Sequence, residues 1–160
     1  NYTLNINPSG VTIYGLGAKI NVTHRYKPPA CGGFPATGEL TSMVFDTGTE
    51  GAAYNSVMWK GVLGGSSQDQ GKVRVKIATA DSDAGPWDYR GPETTCSTNT
   101  ASDSDWYVAA ADTPLEAGCF ANHNNKRYFR YRVQICSSSD CATAGSYTPE
   151  VQDVVVSWSP

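Results

Sequence analysis

Hydrophobic and polar residues alternate with a period of two along two stretches of the chain. Residues 126–136 carry aromatic or β-branched side chains at every second position, with cationic or polar side chains between them. Residues 72–79 repeat this pattern, with valine and isoleucine alternating with lysine and arginine. Because successive side chains of a strand point to opposite faces of its sheet, both stretches are predicted to be half-buried strands. Their apolar faces are expected over a core, and their cationic faces toward solvent or a partner.

Shorter stretches of strand-like composition lie between turn residues such as proline, glycine and asparagine. They are residues 2–6, 11–14, 18–23, 39–48, 54–63, 106–109 and 151–158. No segment has a convincing helix pattern over about ten or more residues. About eight to ten short strands separated by turns predict an all-β fold, an antiparallel β-sandwich of jelly-roll type.

A break in composition divides the chain near its N-terminus. Residues 27–35 contain three prolines and two glycines, which argues against a central strand. We interpret residues 28–37 as a surface loop between an N-terminal strand segment, residues 1–27, and a β-sandwich domain, residues 38–160. The N-terminal segment is too short to be a domain of its own. It is expected either to add a strand to the sheet edge of a neighbouring copy or to pair within its own domain.

Composition narrows the classes of function. Charged residues make up 17% of the 160 residues and the formal net charge is −3, so nothing in the composition points to nucleic acid. An apolar run of about 18 residues is missing, so no membrane span is predicted. No signal-peptide pattern is present, so the chain is interpreted either as a mature sequence or as an expressed piece of one. Triplets beginning at Asn1 and Asn21 match the N-glycosylation pattern, which matters only if the source organism glycosylates asparagine.

Five cysteines are predicted to form disulfides rather than a zinc site, because none belongs to a CxxC pair. Cys136 and Cys141 flank a short polar loop, and we predict that they bridge it. Cys96 with Cys119 is the predicted second bridge; pairing of Cys31 with either of these two is the alternative. Disulfides indicate an oxidising compartment, so an extracellular or cell-surface location is expected.

Patterns of catalytic residues are not recognisable in the sequence. It has no GxSxG nucleophile motif, and His123 lies in a polar run that is typical of a solvated turn. None of the glutamates stands in a setting that identifies a glycosidase pair. We therefore predict a protein that is not an enzyme.

One candidate metal site is present, and no other cofactor is predicted. Two similar acidic triplets place aspartates at alternate positions, namely Asp81, Asp83, Asp103 and Asp105. Alternating carboxylates suit calcium, which takes six to eight oxygen ligands. Solvated turns are the alternative interpretation, because the helix–loop–helix calcium pattern is missing.

The cationic positions of the two alternating stretches form a candidate interaction face. They are Lys72, Arg74, Lys76, Arg130 and Arg132. If both strands belong to one sheet, like charges crowd together and destabilise it. The pattern therefore predicts an acidic partner surface or acidic loops of the chain folded over this face. Alternatively, the strands belong to different sheets, or the lysine and arginine stems cover aromatic rings.

Aromatic residues between positions 81 and 125 form a candidate sugar-binding group. They are Trp87, Tyr89, Trp106 and Tyr107. Binding residues concentrate on loops held by a rigid scaffold, and flat rings stack on the apolar faces of sugars. The alternative is that these rings are buried in the core.

A wider pattern carries a resemblance to a known class of module. It comprises residues 40–48, 57–61, 75–80, 85–92, 124–133 and 149–158. Residues 38–160 resemble a β-sandwich module of bacterial cell-surface and pilin-like secreted proteins. The chain differs from that class in lacking the hydrophobic N-terminal helix of pilins and in its cysteines. The resemblance implies an extracellular, non-catalytic role in filaments, surface layers or adhesion.

These observations lead to two functional hypotheses. The first is a structural or adhesive subunit of a bacterial surface filament or pilus-like assembly, which self-associates or binds other surface proteins. The second is a carbohydrate-binding module that holds glycans on its tryptophan- and tyrosine-rich loops. A filament subunit is expected to self-associate without ligand, whereas a binding module is expected to stay monomeric and to respond to glycans.

Overall fold

The computed structural model describes residues 13–14, 17–21, 34–66, 69–96, 98 and 103–160. Over these residues it confirms the all-β prediction, with eleven strands, one four-residue helix (α1, Phe120–His123) and one 3₁₀ turn (Asp103–Asp105). The strands are β1 Ile13–Tyr14, β2 Gly17–Asn21, β3 Thr37–Thr41, β4 Phe45–Asp46, β5 Ala53–Val62, β6 Gly65–Ser66, β7 Asp69–Gln70, β8 Lys72–Ala80, β9 Leu115–Glu116, β10 Tyr128–Cys136 and β11 Glu150–Ser159. None of the helices in these residues is long and apolar enough to cross a membrane.

Two antiparallel sheets make up most of the fold. The first sheet has the strand order β1-β2-β11-β5-β9. The second sheet is centred on β10, with β8 along one side and β3 and β4 following one another along the other side. The short strands β6 and β7 form a separate hairpin. The two stretches with the clearest alternation are therefore the neighbouring strands β8 and β10.

The two sheets contribute side chains to one hydrophobic core. The first sheet contributes Tyr54, Val57, Trp59, Val151, Val154 and Val156, and the second contributes Phe45, Val73, Val75, Ile77, Phe129, Tyr131 and Val133. Each large apolar side chain buried in this way stabilises the fold by about 1.5–3 kcal/mol. The shared core is consistent with two sheets on either side of it, and the sandwich and jelly-roll arrangement stays a prediction.

Aromatic rings fix how the core packs at one end of β10. The ring of Phe129 stacks on Phe45 with centroids 5.0 Å apart, and it meets the edge of Tyr54 at 5.7 Å. Trp158 of β11 lies 5.7 Å from the same ring. Offset and edge-to-face pairs of this kind are favourable beyond the area that they bury. Phe129 therefore connects residues of both sheets.

Part of the predicted N-terminal segment pairs within its own chain. β2 lies antiparallel to β11, with Ile20 opposite Val154 and Ala18 opposite Val156. For Gly17–Asn21 the prediction of a strand donated to a neighbour is therefore wrong, because the edge of β11 already takes its backbone hydrogen bonds. Residues 1–12 and 22–33 lie outside the described residues, and so do the strand predicted at 2–6 and most of the predicted loop at 28–37.

The strand predicted at residues 106–109 is also wrong. Tyr107 makes only an isolated bridge to Val75 of β8. The residues around it run on as irregular chain, so this stretch reaches the second sheet without forming a strand. Its aromatic residues signalled burial rather than extended structure.

Candidate functional site

The cationic residues predicted to form an interaction face do lie together on one sheet. The register of β8 and β10 places Lys76 opposite Arg132 and Arg74 opposite Gln134. The alternative in which the two strands belong to different sheets is therefore wrong. Crowding of like charge is a real feature of this face, and the structure must offset it.

Aromatic rings from the connection between β8 and β10 cover this face. We call residues 86–91 and 103–107 the covering segments. Arg74 Cζ and Lys76 Nζ lie 4.6 Å and 5.0 Å from the centroid of the Trp106 ring. The same cation–π contact joins Arg132 to Tyr89 at 4.2 Å and Arg130 to Trp87 at 5.6 Å. Four of the five cations therefore contact an aromatic ring of the covering segments.

Backbone hydrogen bonds attach the covering segments to the outer edge of β8. The N–H groups of Ile77 and Arg90 donate to each other's carbonyls at 3.1 Å and 2.8 Å. Val75 and Tyr107 exchange the same pair of bonds at 3.0 Å and 2.8 Å. Two points of attachment hold the irregular chain against a strand edge that would otherwise be open.

Carboxylates of the same connection neutralise part of the charge. Asp103 accepts hydrogen bonds from Lys72 Nζ and Arg74 Nη1, both at 2.6 Å. The bond from Lys72 is the main cause that lowers the pKa of the Asp103 carboxyl. Gln134 Oε1 also accepts from Arg74 Nε at 2.7 Å. Acidic chain therefore folds over the cationic face, as one of the predicted alternatives stated.

Lys76 is the most deeply buried of the five cations, because none of its surface is exposed to solvent. Burial lowers the pKa of its ammonium group, while the negative charges of Asp105 and Glu93 act in the opposite direction. Arg74 is only 8% exposed. The prediction that the five cations form an exposed docking face is therefore wrong, since the chain's own rings and carboxylates occupy it.

The predicted sugar-binding rings do not form an exposed platform. Trp106 and Tyr107 are 1% and 2% exposed, so no sugar can stack on them, and the core alternative holds for both. Trp87 and Tyr89 are half-buried beneath arginines of β10. For Trp106 and Tyr107 the prediction of a sugar platform is therefore wrong, because both rings are buried. For Trp87 and Tyr89 it stays a prediction, with an arginine of β10 lying over each ring.

The four aspartates of the predicted calcium site are not brought together. Asp81 pairs with Lys126 at 2.5 Å, and Asp103 pairs with the cations of β8. Asp105 is a buried residue of the covering segments, whereas Asp83 is exposed. Within the described ranges, no group of three or more histidine, cysteine or acidic side chains is placed to hold a metal ion. The prediction of calcium at these aspartates is therefore wrong.

Both predicted disulfides are present. Cys96 bonds to Cys119 and Cys136 bonds to Cys141, with Cα–Cα distances of 5.5 Å and 4.9 Å. Cys31 lies outside the described residues. Two disulfides indicate an oxidising compartment other than the cytoplasm.

A polar cleft at the end of β8 was not found by the sequence analysis. Its volume is about 180 Å³, and it is lined by Thr79, Ala80, Asp81, Pro86, Asp88, Arg90, Asn122, His123 and Lys126. These residues come from β8, from the covering segments, from α1 and from the chain before β10. Residues so far apart along the chain leave no common sequence pattern.

His123 lies in the wall of this cleft and is 1% exposed, so the prediction of a solvated turn is wrong. Its Nδ1 is 3.2 Å from the Thr79 hydroxyl, and its Nε2 has no hydrogen-bond partner among the described residues. Burial, with a smaller contribution from the charge of Arg90, lowers the pKa of the imidazole to about 4. His123 is therefore neutral at neutral pH.

One edge of the second sheet, the outer side of β3, is open as far as the described residues show. Ser42 donates its N–H to the carbonyl of Tyr131, and Ser137 donates its N–H to the carbonyl of Ala36. In an antiparallel pair every second residue bonds to the partner strand, so Gly38 and Leu40 of β3 also face β10 with their backbone groups. The intervening residues Thr37, Glu39 and Thr41 then point their backbone groups away from β10. Among the described residues, no strand pairs with that side of β3.

Comparison with known proteins gives no relative. No protein-family model matches the chain, and neither the curated proteins nor the solved structures contain a match.

Proposed function

We propose that this protein is a non-catalytic structural or adhesive subunit of an extracellular bacterial surface assembly. In this proposal, copies join when an extended segment of one copy adds to the open edge of β3 in the next. The disulfides support a compartment outside the cytoplasm. The observation that carries the proposal is the open edge itself.

Within the part of the chain that the structure describes, the edge of β3 lacks the features that usually prevent strand addition. Natural edge strands are protected by lysine, proline, bulges or a covering loop. β3 contains neither lysine nor proline, and its one charged residue, Glu39, accepts a hydrogen bond from Gln134 Nε2 at 2.6 Å. Two residues after the end of β3, the side chain of Met43 is 48% exposed. An incoming strand would therefore find free main-chain groups and an apolar side chain.

The cationic face of the second sheet is already covered, and this favours a main-chain contact between copies over a contact between charged side chains. Its cations are occupied by the covering segments, so an acidic partner gains little from them. Main-chain hydrogen bonds at a sheet edge need no particular side chain, and they suit repeated contact between identical subunits.

The donor that we propose is the stretch at residues 2–6, whose alternating Tyr2, Leu4 and Ile6 predict a strand. A contact between two different surfaces of the same chain is heterologous, and it leads to open filaments when the rotation does not close. This contact leaves β2 in its place beside β11.

Proline scanning at the edge tests the proposal. Glu39→Pro removes an outward N–H without removing a bond to β10, whereas Glu39→Ala is the matched control that loses the same side chain and keeps the N–H. We expect the wild type and Glu39→Ala to form filaments or oligomers in electron microscopy and light scattering. Glu39→Pro, and separately a chain lacking residues 1–12, are expected to stay monomeric.

Thermal unfolding of both Glu39 variants checks that they fold equally well. A wild type that stays monomeric at high concentration contradicts the proposal, and so does a Glu39→Pro variant that assembles like Glu39→Ala. Assembly without residues 1–12 refutes the donor and leaves β3 as the acceptor.

A further inference from the structure

The polar cleft at the end of β8 combines acceptors and donors on one small wall. Asp81 and Asp88 supply carboxylates, and Arg90 and Lys126 supply cationic donors. The two acids and the two cations are partnered as Asp81 with Lys126 and as Asp88 with Arg90, the second pair at 3.6 Å. Their formal charges therefore cancel.

His123 also forms part of this wall. The Thr79 hydroxyl donates its proton to the Asn122 carbonyl at 3.2 Å. Its oxygen is then left to accept from Nδ1–H of His123, because a hydroxyl has only one proton to donate. In this tautomer Nε2 of His123 carries a lone pair, and no described residue donates to it. Nε2 is itself enclosed, so the imidazole shapes the wall of the cleft, and its ring lies beside any molecule bound there.

The balance of charge decides the class of ligand. A simple anion or cation meets equal numbers of attractive and repulsive charges in this cleft, so it gains no net charge attraction. A neutral molecule with several hydroxyl groups can donate to the carboxylates of Asp81 and Asp88, and it can accept from Arg90 and Lys126 at the same time. Charged groups make the stronger hydrogen bonds of this kind.

We propose that this cleft binds a single neutral sugar residue, such as the terminal unit of a glycan. The volume of about 180 Å³ is below that of pockets for drug-sized ligands, which are roughly 300–1,000 Å³, and it suits one small ring. Binding relies on hydrogen bonds, because the aromatic rings nearby are engaged by the arginines of β10. The site does not depend on the edge of β3, so a failure of assembly leaves it standing.

Nuclear magnetic resonance of the imidazole tests the proposal. The chain has only two histidines, and His24→Asn leaves the signal of His123 alone. The probes are glucose, galactose, mannose and N-acetylglucosamine, each titrated separately at neutral pH. We expect at least one of them to shift the His123 resonances in a saturable way.

Two exposed aspartates provide the decisive pair of variants. Asp88→Asn removes a carboxylate that lines the cleft, and we expect affinity to fall by about tenfold or more. Asp83→Asn removes an exposed carboxylate that does not line the cleft, and it is expected to bind like the wild type. The proposal is overturned if none of the four sugars gives a saturable shift, or if Asp88→Asn binds as tightly as Asp83→Asn. It is overturned equally if glycine, a zwitterion, produces the shift and the sugars do not.

Discussion

His123 is enclosed although its immediate neighbours are asparagines. Helix α1 directs the imidazole toward Thr79 of β8, and the side chain ends in the wall of the polar cleft. Its low pKa means that folding favours the neutral ring, whereas the unfolded chain takes up a proton below about pH 6.5. The contribution of this group to stability is therefore complete above pH 6.5 and is lost as the pH falls toward 4.

The variant His123→Gln is predicted to remove this pH dependence. From pH 6.5 to pH 4 the wild type should lose roughly 3 kcal/mol of unfolding free energy through this group, because its pKa differs between the two states. Urea unfolding at intervals between pH 4 and pH 8 measures the loss. The substitution itself changes the unfolding free energy by an amount that does not depend on pH. The plot of unfolding free energy against pH should therefore fall by about this much less for the variant than for the wild type. Parallel curves would show that His123 titrates normally in the fold.

The covering segments depend on a close approach at Gly91. A Cβ at this position would lie 2.1 Å from the backbone carbonyl of Asp105 and 2.4 Å from the nitrogen of Trp106. Backbone cannot move aside as a flexible side chain does. One glycine therefore holds the two covering segments against each other.

Gly91→Ala is predicted to destabilise the fold by about 1–3 kcal/mol or more, since overpacking displaces Trp106 from its cations. Gly38→Ala is the matched control, because nothing lies within 4 Å of its added methyl group. Denaturant unfolding monitored by tryptophan fluorescence compares the two variants. Equal stability of the two would mean that the covering segments are not packed as described.

Alternation identified β8 and β10 but not the environment of their polar faces. The pattern of a strand reports which side chains share a face, and Lys76 and Arg132 do share one. It does not report what lies on that face, because Trp106 and Tyr89 approach from an irregular connection with no period of its own. The cleft was missed for the same reason, as its residues meet only in the folded chain. The bridge between Cys136 and Cys141 was predictable, since a short loop between two cysteines constrains its own partners. The bridge between Cys96 and Cys119 was not, because pairings with Cys31 remained an alternative.

At the scale of the whole molecule, the two disulfides close loops of different length. Cys96 and Cys119 are 23 residues apart, whereas Cys136 and Cys141 are 5 apart. In the chain-entropy account, the longer loop restricts the unfolded chain more. The long bridge also joins the loop between the two covering segments to Cys119, the residue directly before α1.

Replacing both cysteines of a bridge by serine tests this difference. Loss of Cys96–Cys119 is predicted to cost about 3 kcal/mol of unfolding free energy, and loss of Cys136–Cys141 about 2 kcal/mol. Urea unfolding of the two double variants under oxidising conditions gives both values. A larger loss for the short bridge would contradict the entropic account and would point to local contacts of its loop.

The enclosure of β8 changes how its sequence tolerates substitution. In most half-buried strands the polar positions are free to vary, and only the apolar positions are constrained by packing. In β8 the residues from Val73 to Ala78 are buried whether they are charged or apolar. Arg74 and Lys76 contact the ring of Trp106, and Arg74 also pairs with Asp103, whereas Val73 and Val75 pack in the core. Both the polar and the apolar positions of β8 are therefore constrained by packing. Positions whose sequence pattern predicts exposure to solvent are buried in the fold.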